Sequence, residues 1–566
     1  MKKLLAFLFT LISVSSFSQN YISPFDFPLY LSGTFGELRS NHFHAGIDIK
    51  TESVEGKKIF AIEDGYISRI KISTWGYGRV LYIVHPKTGH TSVYAHMQQF
   101  NNEIEKIIKK EQYRKESFEV NFYPTKNTIL VSQGEVIGLS GNSGGSGGPH
   151  LHFEIRDTKT EHPLNPLEFG FEVLDNINPI LSEIKIYPHK NSSVNNKSIG
   201  LKIPLIKKDG DYQLQSESII KVNGDISFGI STFDRQNGAP YNKNGVYSIK
   251  MYSDDQLIHH FEVDELSFSE KKFINSHIDY KEYSDNNIRF NRCFSLPYNK
   301  LSNYKLNLNK GILSFNDTLT HQIKFEVSDI EGNTSVIQFE VQSQTSSPNF
   351  DMINEHVDIC LYDEAMVFEP IDFKAHIPAY SLYEDCYFNY SVGLKTDNTL
   401  SRIYHFMNKN IPLHKEIVIT IKDRVPERIR EKSYIAIQRE DGSFKYKGKT
   451  WKDGDILAKT REFGAFAIVA DTLNPIISNY NYNFTYNITD NYWGNISVKI
   501  ADNESGISFY RGEVDGEWVL MEYDYKSDLL IYYIEREKMK KGEHTLKVVV
   551  KDKLNNKTTF TKKFNY

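Results

Sequence analysis

Histidine and acidic residues form three groups in the first third of the chain, and together they could bind a metal ion. The groups are His44-Ala-Gly-Ile-Asp48, His96 at the end of an apolar run, and His150-Leu-His152. Imidazole and carboxylate are the usual zinc ligands where no thiolate is available. A catalytic zinc site takes three protein ligands and leaves one position for water. No His-Glu-x-x-His occurs in the sequence, so the glutamate base of that motif is missing.

The pair His150 and His152 is the most informative of these groups. The two residues are two positions apart on a predicted strand, so both side chains project from one face of a sheet. Two imidazoles on one face are unusual core residues, because each needs a polar partner. The glycine-rich segment 141–149 lets the backbone approach whatever binds there. His42, two residues before His44, is an alternative ligand.

Short strands with Asp-Gly and Gly-rich turns surround these groups and predict an antiparallel sheet. The strands are predicted at residues 57–63, 66–72, 79–84, 91–96, 128–131, 135–139 and 150–155. Between them, Ile104, Ile107 and Ile108 recur at helical spacing among Glu and Lys residues. Residues 101–115 therefore predict an inserted helix, which either forms a wall over a cleft or is a solvated surface helix.

These motifs resemble those of the M23 zinc metallopeptidases, also called LytM or lysostaphin-like peptidases. The resemblance covers residues 25–170, and it depends on His44-x-x-x-Asp48, Tyr94-Ala-His96-Met, Gly134-Glu-Val-Ile-Gly138 and Gly148-Pro-His150-Leu-His152-Phe-Glu. It implies a compact antiparallel sheet with a cleft over the metal. It also implies hydrolysis of the stem or cross-link peptides of bacterial peptidoglycan.

The resemblance implies a role for each motif residue. It makes His44, Asp48 and His152 the ligands of one Zn²⁺ ion, and His96 and His150 the non-ligand catalytic histidines. Proton transfer and oxyanion stabilisation fall to these two histidines together, and which does which stays open. Because no motif position is degenerate, an active endopeptidase is the leading expectation. The alternatives are a non-catalytic or autoinhibited envelope scaffold that activates other wall hydrolases, or the same chemistry on a protein substrate.

Length and composition bound the rest of the chain. The sequence has 566 residues, which at about 100–200 residues per domain predicts about three to five domains. Aromatic residues make up 13% and favour strands over helices. The formal net charge of −5 argues against a general nucleic-acid binder, which carries a basic excess.

Two pairs of similar segments indicate repeated β-modules after the first domain. Asp175-Asn-Ile-Asn-Pro179-Ile resembles Asp471-Thr-Leu-Asn-Pro475-Ile, and Val327-Ser-Asp-Ile-Glu-Gly-Asn333 resembles Val550-Lys-Asp-Lys-Leu-Asn-Asn556. We therefore expect a mainly all-β chain, in which the metallopeptidase sheet with its short helical insertion is followed by Ig-like β-sandwich modules. The expected order is a signal peptide at 1–18, the peptidase domain at 19–172, a β-sandwich at 173–345, a β-rich module at 346–470 and a C-terminal β-sandwich at 471–566. The β-modules could bind an envelope protein partner.

The N-terminus predicts export. Lys2 and Lys3 precede a short apolar run and the small residues Ser16-Phe17-Ser18, as in a secretory signal peptide cleaved before Gln19. Removal of residues 1–18 takes the formal charge from −5 to −7. No later segment is long and apolar enough to span a membrane. The periplasm or cell envelope is the expected location, with the cell exterior as the alternative.

Several other residues are possible site residues. Arg39 could contact substrate or form a salt bridge, and His85 and His90, which flank a turn, are predicted at the surface. In an oxidising compartment, Cys360 and Cys386 could form a disulfide. A second metal site built from His356, Cys360, His376 and Cys386 matches no standard zinc spacing.

Overall fold

The computed structural model describes residues 21–216, 219–345, 358–483, 494–535 and 537–566. The predicted signal peptide and His356 lie outside these residues. The described part of the chain is mainly β, as the sequence predicted, with a β-sheet region at the N-terminus and β-rich regions after it. Within it, no helix is both long enough and apolar enough to cross a membrane.

The N-terminal region, residues 21–172, contains a larger and a smaller sheet with one inserted helix. Its elements are β1 Leu31–Gly33, β2 Ile47–Lys50, β3 Lys58–Phe60, β4 Gly65–Ile72, β5 Arg79–His85, β6 His90–Ala95, β7 Gln99–Phe100, α1 Asn102–Lys115, β8 Val120–Phe122, β9 Leu130–Val131, β10 Val136–Leu139, β11 His150–Asp157 and β12 Pro163–Leu164, followed by a 3₁₀ turn at Pro166–Phe169.

The larger sheet brings distant segments together at its centre. Its order is β1-β2-β11-β6-β5-β4-β8, so β11 lies between β2 and β6. All neighbouring pairs in this order are antiparallel. The central strands β5, β6 and β11 are rich in Val, Ile, Leu, Tyr and Phe and are buried over most of their length, as expected for strands covered on both faces.

Helix α1 lies where the isoleucine spacing predicted a helix. The Asn101 side chain caps its N-terminus by accepting a hydrogen bond from the Ile104 amide, and acidic residues in the first turn and basic residues in the last turn complement the helix dipole. Ile104, Ile108 and Gln112, four residues apart, are buried. These side chains anchor the insertion to the N-terminal region, while Lys106 and Lys110 on its other face are exposed. No α1 residue lines the cleft described below, so α1 is an anchored surface helix and not a wall of that cleft.

The second region, residues 173–345, contains one large sheet and two short helices. Its elements are β13 Ile180–Pro188, β14 Ser193–Val194, β15 Leu201–Lys208, β16 Asp211–Leu214, β17 Ile220–Gln236, β18 Ala239–Asn244, β19 Ser248–Ser253, β20 Gln256–Glu262, α2 Ile274–His277, α3 Tyr280–Asn286, β21 Asn291–Arg292, β22 Tyr304–Asn307, β23 Leu313–Phe315, β24 Thr320–Ser328 and β25 Thr334–Ser343. The long strand β17 pairs with both β13 and β25, so the sheet curls back on itself.

The third region, residues 358–470, contains a pair of larger sheets and a short two-stranded ribbon. Its elements are β26 Ile359–Cys360, β27 Met366–Phe368, β28 Phe373–Ile377, β29 Cys386–Tyr387, β30 Tyr390–Gly393, β31 Ile403–Phe406, β32 Ile417–Ile421, α4 Glu427–Arg430, β33 Ser433–Gln438, β34 Phe444–Gly448, β35 Thr450–Lys452, β36 Asp455–Thr460 and β37 Gly464–Ala470. The sheet orders are β27-β28-β32-β36-β35 and β30-β31-β37-β33-β34.

The C-terminal region begins at residue 471 and consists of two sheets that share one core. Its strands are β38 Ile476–Asn483, β39 Asn495–Ala501, β40 Ile507–Val514, β41 Glu517–Val519, β42 Met521–Asp524, β43 Leu529–Tyr533, β44 Glu543–Asp552 and β45 Lys557–Asn565. The sheet orders are β38-β39-β43-β42 and β41-β40-β44-β45. Val498 of one sheet and Val548 of the other lie in the same buried cluster.

The core of the N-terminal region does not stop at residue 172. The buried cluster that contains Ile47, Leu151 and Phe153 also contains Phe261, Phe273 and other side chains of the second region. The segment around α2 thus packs against the N-terminal region, although it follows β20 of the second sheet. This packing brings residues 266–303 to the edge of the cleft described below.

Candidate active site

The register of the larger sheet places Asp48 and His152 side by side. His152 on β11 pairs directly with Asp48 on β2, and on the opposite side it pairs with Ala95 at the end of β6. His96 follows Ala95 immediately, so it reaches the same place on the sheet. His44 arrives from the loop before β2. The structure therefore brings together the five residues singled out in the sequence.

Three of these residues point one atom each at a common centre. The Nε2 atom of His44, the Nδ1 atom of His152 and the Oδ1 atom of Asp48 lie 3.0 Å from one another. These three residues, called the ligand group below, could hold a metal ion. His152 lies more than one hundred positions from His44 and Asp48 in sequence, and the pairing of β2 with β11 brings it beside them.

The outer hydrogen bonds of the two imidazoles fix where their protons are. His44 Nδ1 lies 2.8 Å from the Thr34 carbonyl oxygen, and His152 Nε2 lies 2.8 Å from Glu154 Oε1. Both partners only accept, so the protons sit on these outer nitrogens and the inner nitrogens keep their lone pairs. Two lone pairs and a carboxylate oxygen that face one another require a cation between them. This donor set of two nitrogens and one carboxylate fits zinc, whose bonds to such ligands are about 2.0–2.2 Å long.

Glu154 and Tyr77 complete the surroundings of His152, and the sequence analysis did not identify either residue as functional. The buried Glu154 carboxylate accepts from His152, from the Tyr77 hydroxyl and from Arg156. The Tyr77 ring also stacks on the His152 ring, with centroids 5.0 Å apart. The period of two along β11 is a signal that could have found Glu154, because it places this carboxylate on the same face as His150 and His152. The sequence offers no comparable signal for Tyr77.

Electrostatics keep the carboxylates of the site ionised. Burial raises the pKa of Asp48, but the surrounding histidines lower it more, so the net pKa lies well below its ordinary value. Burial likewise opposes ionisation of Glu154, yet Arg156 and His152 lower its pKa to about 2. Burial lowers the pKa of His152, while Asp48 and Glu154 raise it to about 9. A proton and a metal ion therefore compete for the same position between His152 and Asp48.

His96 and His150 lie next to the ligand group and outside it. Their ring centroids are 4.8 Å apart, and that of His96 is 5.9 Å from that of His152. His96 Nδ1 donates to the Ser143 carbonyl and His150 Nδ1 to the Gly148 carbonyl, both at 2.8 Å, so the glycine-rich loop orients both rings. Burial, then the neighbouring histidines, lowers the pKa of His96 to about 3, so it is neutral near pH 7.

The other candidates have structural positions. His42 is exposed in the cleft and stands outside the ligand group. Arg39 forms ion pairs of 3.0 Å with Glu37 and with Asp48 Oδ2, so it holds the second oxygen of this carboxylate. The prediction that His85 lies at the surface was wrong. It is fully buried, and it bonds to Ser92 Oγ and to the Asp64 carbonyl, which satisfies both ring nitrogens inside the sheet.

No cysteine belongs to a candidate metal group among the described residues. The candidate groups there contain only histidines and aspartates. Cys360 and Cys386 face each other directly across the β26–β29 ribbon, and both are free thiols. His376 lies on β28, and it belongs to no candidate metal group among the described residues.

A cleft of about 600 Å³ opens beside the ligand group. His42, His44, Tyr77 and His152 line one side of it, and the other walls come from the second and third regions. These walls contribute the apolar side chains Leu266, Phe268, Leu301 and Leu413 and the basic side chains Lys271, Lys272 and Arg461. The cleft is thus built jointly by segments that lie far apart in the chain.

The C-terminal region packs on the opposite side of the site. Glu535 accepts from the Tyr113 hydroxyl at 2.5 Å and pairs with Lys109 at 3.0 Å, so α1 is its docking surface. Lys526 Nζ donates to the Asn142 carbonyl of the glycine-rich loop, and Tyr525 stacks on Trp75 with ring centroids 3.5 Å apart. The loop that orients His96 and His150 is therefore held from outside by this region.

The comparisons with known proteins agree with this geometry. The sequence model of Peptidase family M23 matches residues 42–113 and 121–166, a range that contains all five site residues, and the Zu5-like domain matches residues 357–471. The comparison with curated proteins gave no match.

Several solved structures are similar to the N-terminal quarter of the chain. The catalytic domain of the antimicrobial peptidase lysostaphin from Staphylococcus simulans is 22% identical over 24% of this chain and 87% of that one, with a TM-score of 0.18. The catalytic domain of the prophage-encoded M23 protein EnpA from Enterococcus faecalis, in a mutant form, is 23% identical over 26% and 98%, with a TM-score of 0.20. A zinc containing peptidase from Vibrio cholerae is 22% identical over 25% and 37%, with a TM-score of 0.19. The TM-scores carry no argument, but the family match, the motifs and the geometry of the site agree: residues 42–166 of this chain are similar to peptidase family M23, as the resemblance implied.

Proposed function

We propose that this chain is an exported zinc-dependent endopeptidase that hydrolyses the peptide cross-links of bacterial peptidoglycan. The observation that carries the proposal is the convergence of His44 Nε2, His152 Nδ1 and Asp48 Oδ1, 3.0 Å apart, in a domain that matches a peptidase family. Under this proposal His44, Asp48 and His152 hold one Zn²⁺ ion. Glu154 and the Thr34 carbonyl orient the two imidazoles, as outer partners of metal ligands commonly do.

When bound, zinc supplies Lewis acidity that polarises a peptide carbonyl and lowers the pKa of water. The protein's own groups then have two tasks, proton transfer and stabilisation of the negative charge on the oxygen. His96 suits the first task, because its lowered pKa keeps the ring neutral and its Nδ1 is tied to the Ser143 carbonyl, which leaves Nε2 to accept a proton. His150 Nδ1 is held in the same way by the Gly148 carbonyl. The ring therefore suits the second task in its doubly protonated form, in which Nε2 also donates.

The cleft favours a peptide substrate that carries carboxylates. Its walls carry three basic side chains, Lys271, Lys272 and Arg461, and two acidic ones, Glu270 and Glu462. The small positive excess attracts free carboxylates of a peptide, while apolar side chains of the wall cover its apolar parts. The predicted signal peptide places the activity in the periplasm or cell envelope. The β-rich regions then serve to position the peptidase, through the wall or through an envelope protein.

The test is digestion of purified cross-linked peptidoglycan by residues 19–566, with the products read by mass spectrometry. New amines released from cross-link peptides by the zinc-loaded protein, lost after chelation and restored by added zinc, are the expected result. The masses also identify the bond that is cut. If the zinc-loaded protein leaves peptidoglycan intact but cleaves glycine-rich proteins, the substrate is a protein and the reaction is the same. Inactivity of the zinc-loaded protein on both, and on a short soluble cross-link peptide, would reject the endopeptidase.

A restrained enzyme is the second candidate, and the docking of the C-terminal region on the glycine-rich loop favours it. We expect Tyr525→Ala to loosen this docking and to raise cleavage of intact peptidoglycan by about 2- to 10-fold, because a stacked ring pair contributes about 0.5–1.5 kcal/mol. Cleavage of a short soluble peptide should stay unchanged, since such a peptide already fits the cleft. Rates on both substrates decide the point.

Tyr241→Ala in the second region is the matched control. Tyr241 is 94% exposed, so loss of its ring should disturb no contact between regions. Equal rates of wild type and Tyr525→Ala on intact peptidoglycan would show that the C-terminal region does not restrain the enzyme. A loss of activity on both substrates would instead assign to this region a supporting role for the loop that orients His96 and His150.

A further inference from the structure

Three aspartates meet where the N-terminal and second regions join, far from the histidine site in sequence. Asp175 lies in the segment that enters β13, Asp234 near the end of β17, and Asp329 directly after β24. One carboxylate oxygen of each lies within 4.8 Å of the others. Such a cluster alone is no evidence for a ligand, because acidic groups gather on many surfaces.

Two buried oxygen atoms without a partner distinguish this cluster. Asp234 is 2% exposed and Gln236 is 3% exposed, yet Asp234 Oδ1 and Gln236 Oε1 have no hydrogen-bond partner among the described residues. An uncompensated buried acceptor costs about 1–3 kcal/mol, and a charged one costs more. The amide group of Gln236 hydrogen-bonds to Asp175, which leaves its amide oxygen as a separate acceptor without a donor. One cation beside the carboxylates would satisfy both orphan oxygens.

The four side chains share one small cavity. Asp175, Asp234, Gln236 and Asp329 line a cavity of about 20 Å³, closed on its other side by residues of the N-terminal region such as Thr34 and Leu167. A cavity of this size holds about one water molecule or one ion. It offers oxygen donors only, with no imidazole or thiol from these four residues.

Among the described residues, no lysine or arginine forms an ion pair with the three carboxylates of the cavity, although Asp329 accepts from Asn333 and Asp175 from the Ile177 amide. After burial, the main influences that raise the pKa of Asp234, to about 8, are the carboxylates of Asp175 and Asp329. The nearest cation in sequence does not neutralise them, because the Arg235 guanidinium lies over the Phe233 ring, 5.5 Å from its centroid.

We propose that Asp175, Asp234, Asp329 and Gln236 bind one calcium ion at this junction. Hard oxygen ligands in an irregular arrangement suit Ca²⁺, which takes six to eight oxygens at about 2.3–2.6 Å, better than Mg²⁺, which demands a near-ideal octahedron. Because Asp175 lies in the connecting segment and Asp234 and Asp329 lie in the second sheet, the ion ties the connection to the sheet. The bound ion thereby fixes the orientation of the N-terminal region relative to the second region.

The repeated motifs of the sequence give this site a structural counterpart. Asn333 Nδ2 donates to Asp329 Oδ2 at 2.7 Å and to the Asp175 carbonyl at 3.4 Å. In the C-terminal region, Asn556 Nδ2 makes the matching bonds to Asp552 Oδ2 at 2.6 Å and to the Asp471 carbonyl at 3.0 Å.

The counterpart differs in how its carboxylates are satisfied. Ser505 donates to Asp471 through its amide and its hydroxyl, and the Gly506 amide donates to Asp502. The two clusters are alike at the matching aspartates, because Asp329 and Asp552 each accept from an asparagine. They differ at the third aspartate, where Asp502 Oδ1 accepts from the Gly506 amide and Asp234 Oδ1 has no donor among the described residues.

Calorimetric titration of residues 19–566 with CaCl₂ tests the proposal. We expect wild type to bind one more equivalent of Ca²⁺ than Asp234→Asn, or to bind it at least about tenfold more tightly, because affinity follows the charge of the ligands. Asp502→Asn alters only the C-terminal cluster, so it should bind Ca²⁺ as wild type does and differ from Asp234→Asn in the same way. The same titration with MgCl₂ should show binding at least about tenfold weaker.

A second variant guards against loss of folding. Asp175→Asn changes a half-buried residue of the connecting segment, and circular dichroism should show wild-type strand content for both variants. Calcium should raise the Tm of wild type, and it should raise that of folded Asp175→Asn by less. Identical Ca²⁺ binding by wild type, Asp234→Asn and Asp175→Asn would overturn the proposal, and so would wild type that binds no Ca²⁺.

Discussion

Replacement of His152 by alanine is expected to abolish zinc binding and measurable peptide cleavage. The variant loses the Nδ1 atom that lies 3.0 Å from both His44 Nε2 and Asp48 Oδ1, and two ligands do not retain the ion. Metal polarisation contributes several kcal/mol to such reactions, and about 1.4 kcal/mol is a factor of ten, so the rate should fall by more than about 10³-fold. Zinc content by elemental mass spectrometry and the release of new amines measure the two effects.

His42 supplies the matched control for this loss. It lines the same cleft two positions from His44, but it stands outside the ligand group, so His42→Ala should keep one equivalent of zinc. Glu154→Gln should fall between the two, with zinc affinity weakened by about 10- to 100-fold, because the carboxylate that orients His152 becomes neutral. Zinc lost from His42→Ala but retained by His152→Ala would refute the ligand assignment.

His96→Ala is expected to retain zinc and to lower kcat by about 10²- to 10⁴-fold, the usual contribution of a positioned general acid or base. The reason is its place beside the ligand group, with its ring centroid 5.9 Å from that of His152 and its Nδ1 held by the Ser143 carbonyl. His150→Ala should cause a loss of similar size. The rate on a soluble cross-link peptide and the zinc content, measured on the same preparations, separate loss of catalysis from loss of metal.

The double variant of His96 and His150 sharpens this result. Residues that act as a unit show strongly non-additive effects, so the double variant should be little slower than the slower single variant. His90→Ala is the control and should stay within about threefold of wild type, because the half-buried His90 lies at the other end of β6 and bonds to the Tyr21 hydroxyl, away from the site. Activity of His96→Ala close to that of wild type would remove this residue from the mechanism.

The sequence by itself determined the elements and the ligand types of this site. Strand patterns and turn residues located the central strands of the N-terminal sheet to within a few residues, for example 79–84 against the observed Arg79–His85. They did not predict β1, β2 or β8 of the same sheet, although β2 carries Asp48. Isoleucine spacing located α1. The motif spacing also identified the residues that the sheet brings together, because an H-x-H pair on a strand must share one face.

Only the tertiary structure decided what surrounds these elements. Tyr77 meets Glu154 across 77 positions of sequence, and Glu535 meets Tyr113 across 422. His85 flanks a turn, yet the sheet buries it completely. The cleft wall from residues 266–303 depends on a core that continues from the N-terminal region into the second.

The two aspartate clusters show the same division. Their motifs are visible as repeats in the sequence, with Asp175 matching Asp471 and Asp329 matching Asp552. The third aspartates, Asp234 and Asp502, and the orphan oxygen of Gln236 join these clusters only when distant segments of each region pack together. Local periodicity is set by neighbours a few residues apart, so it can be read along the chain. Burial and the convergence of charges depend on contacts between distant segments, which the folded structure alone specifies.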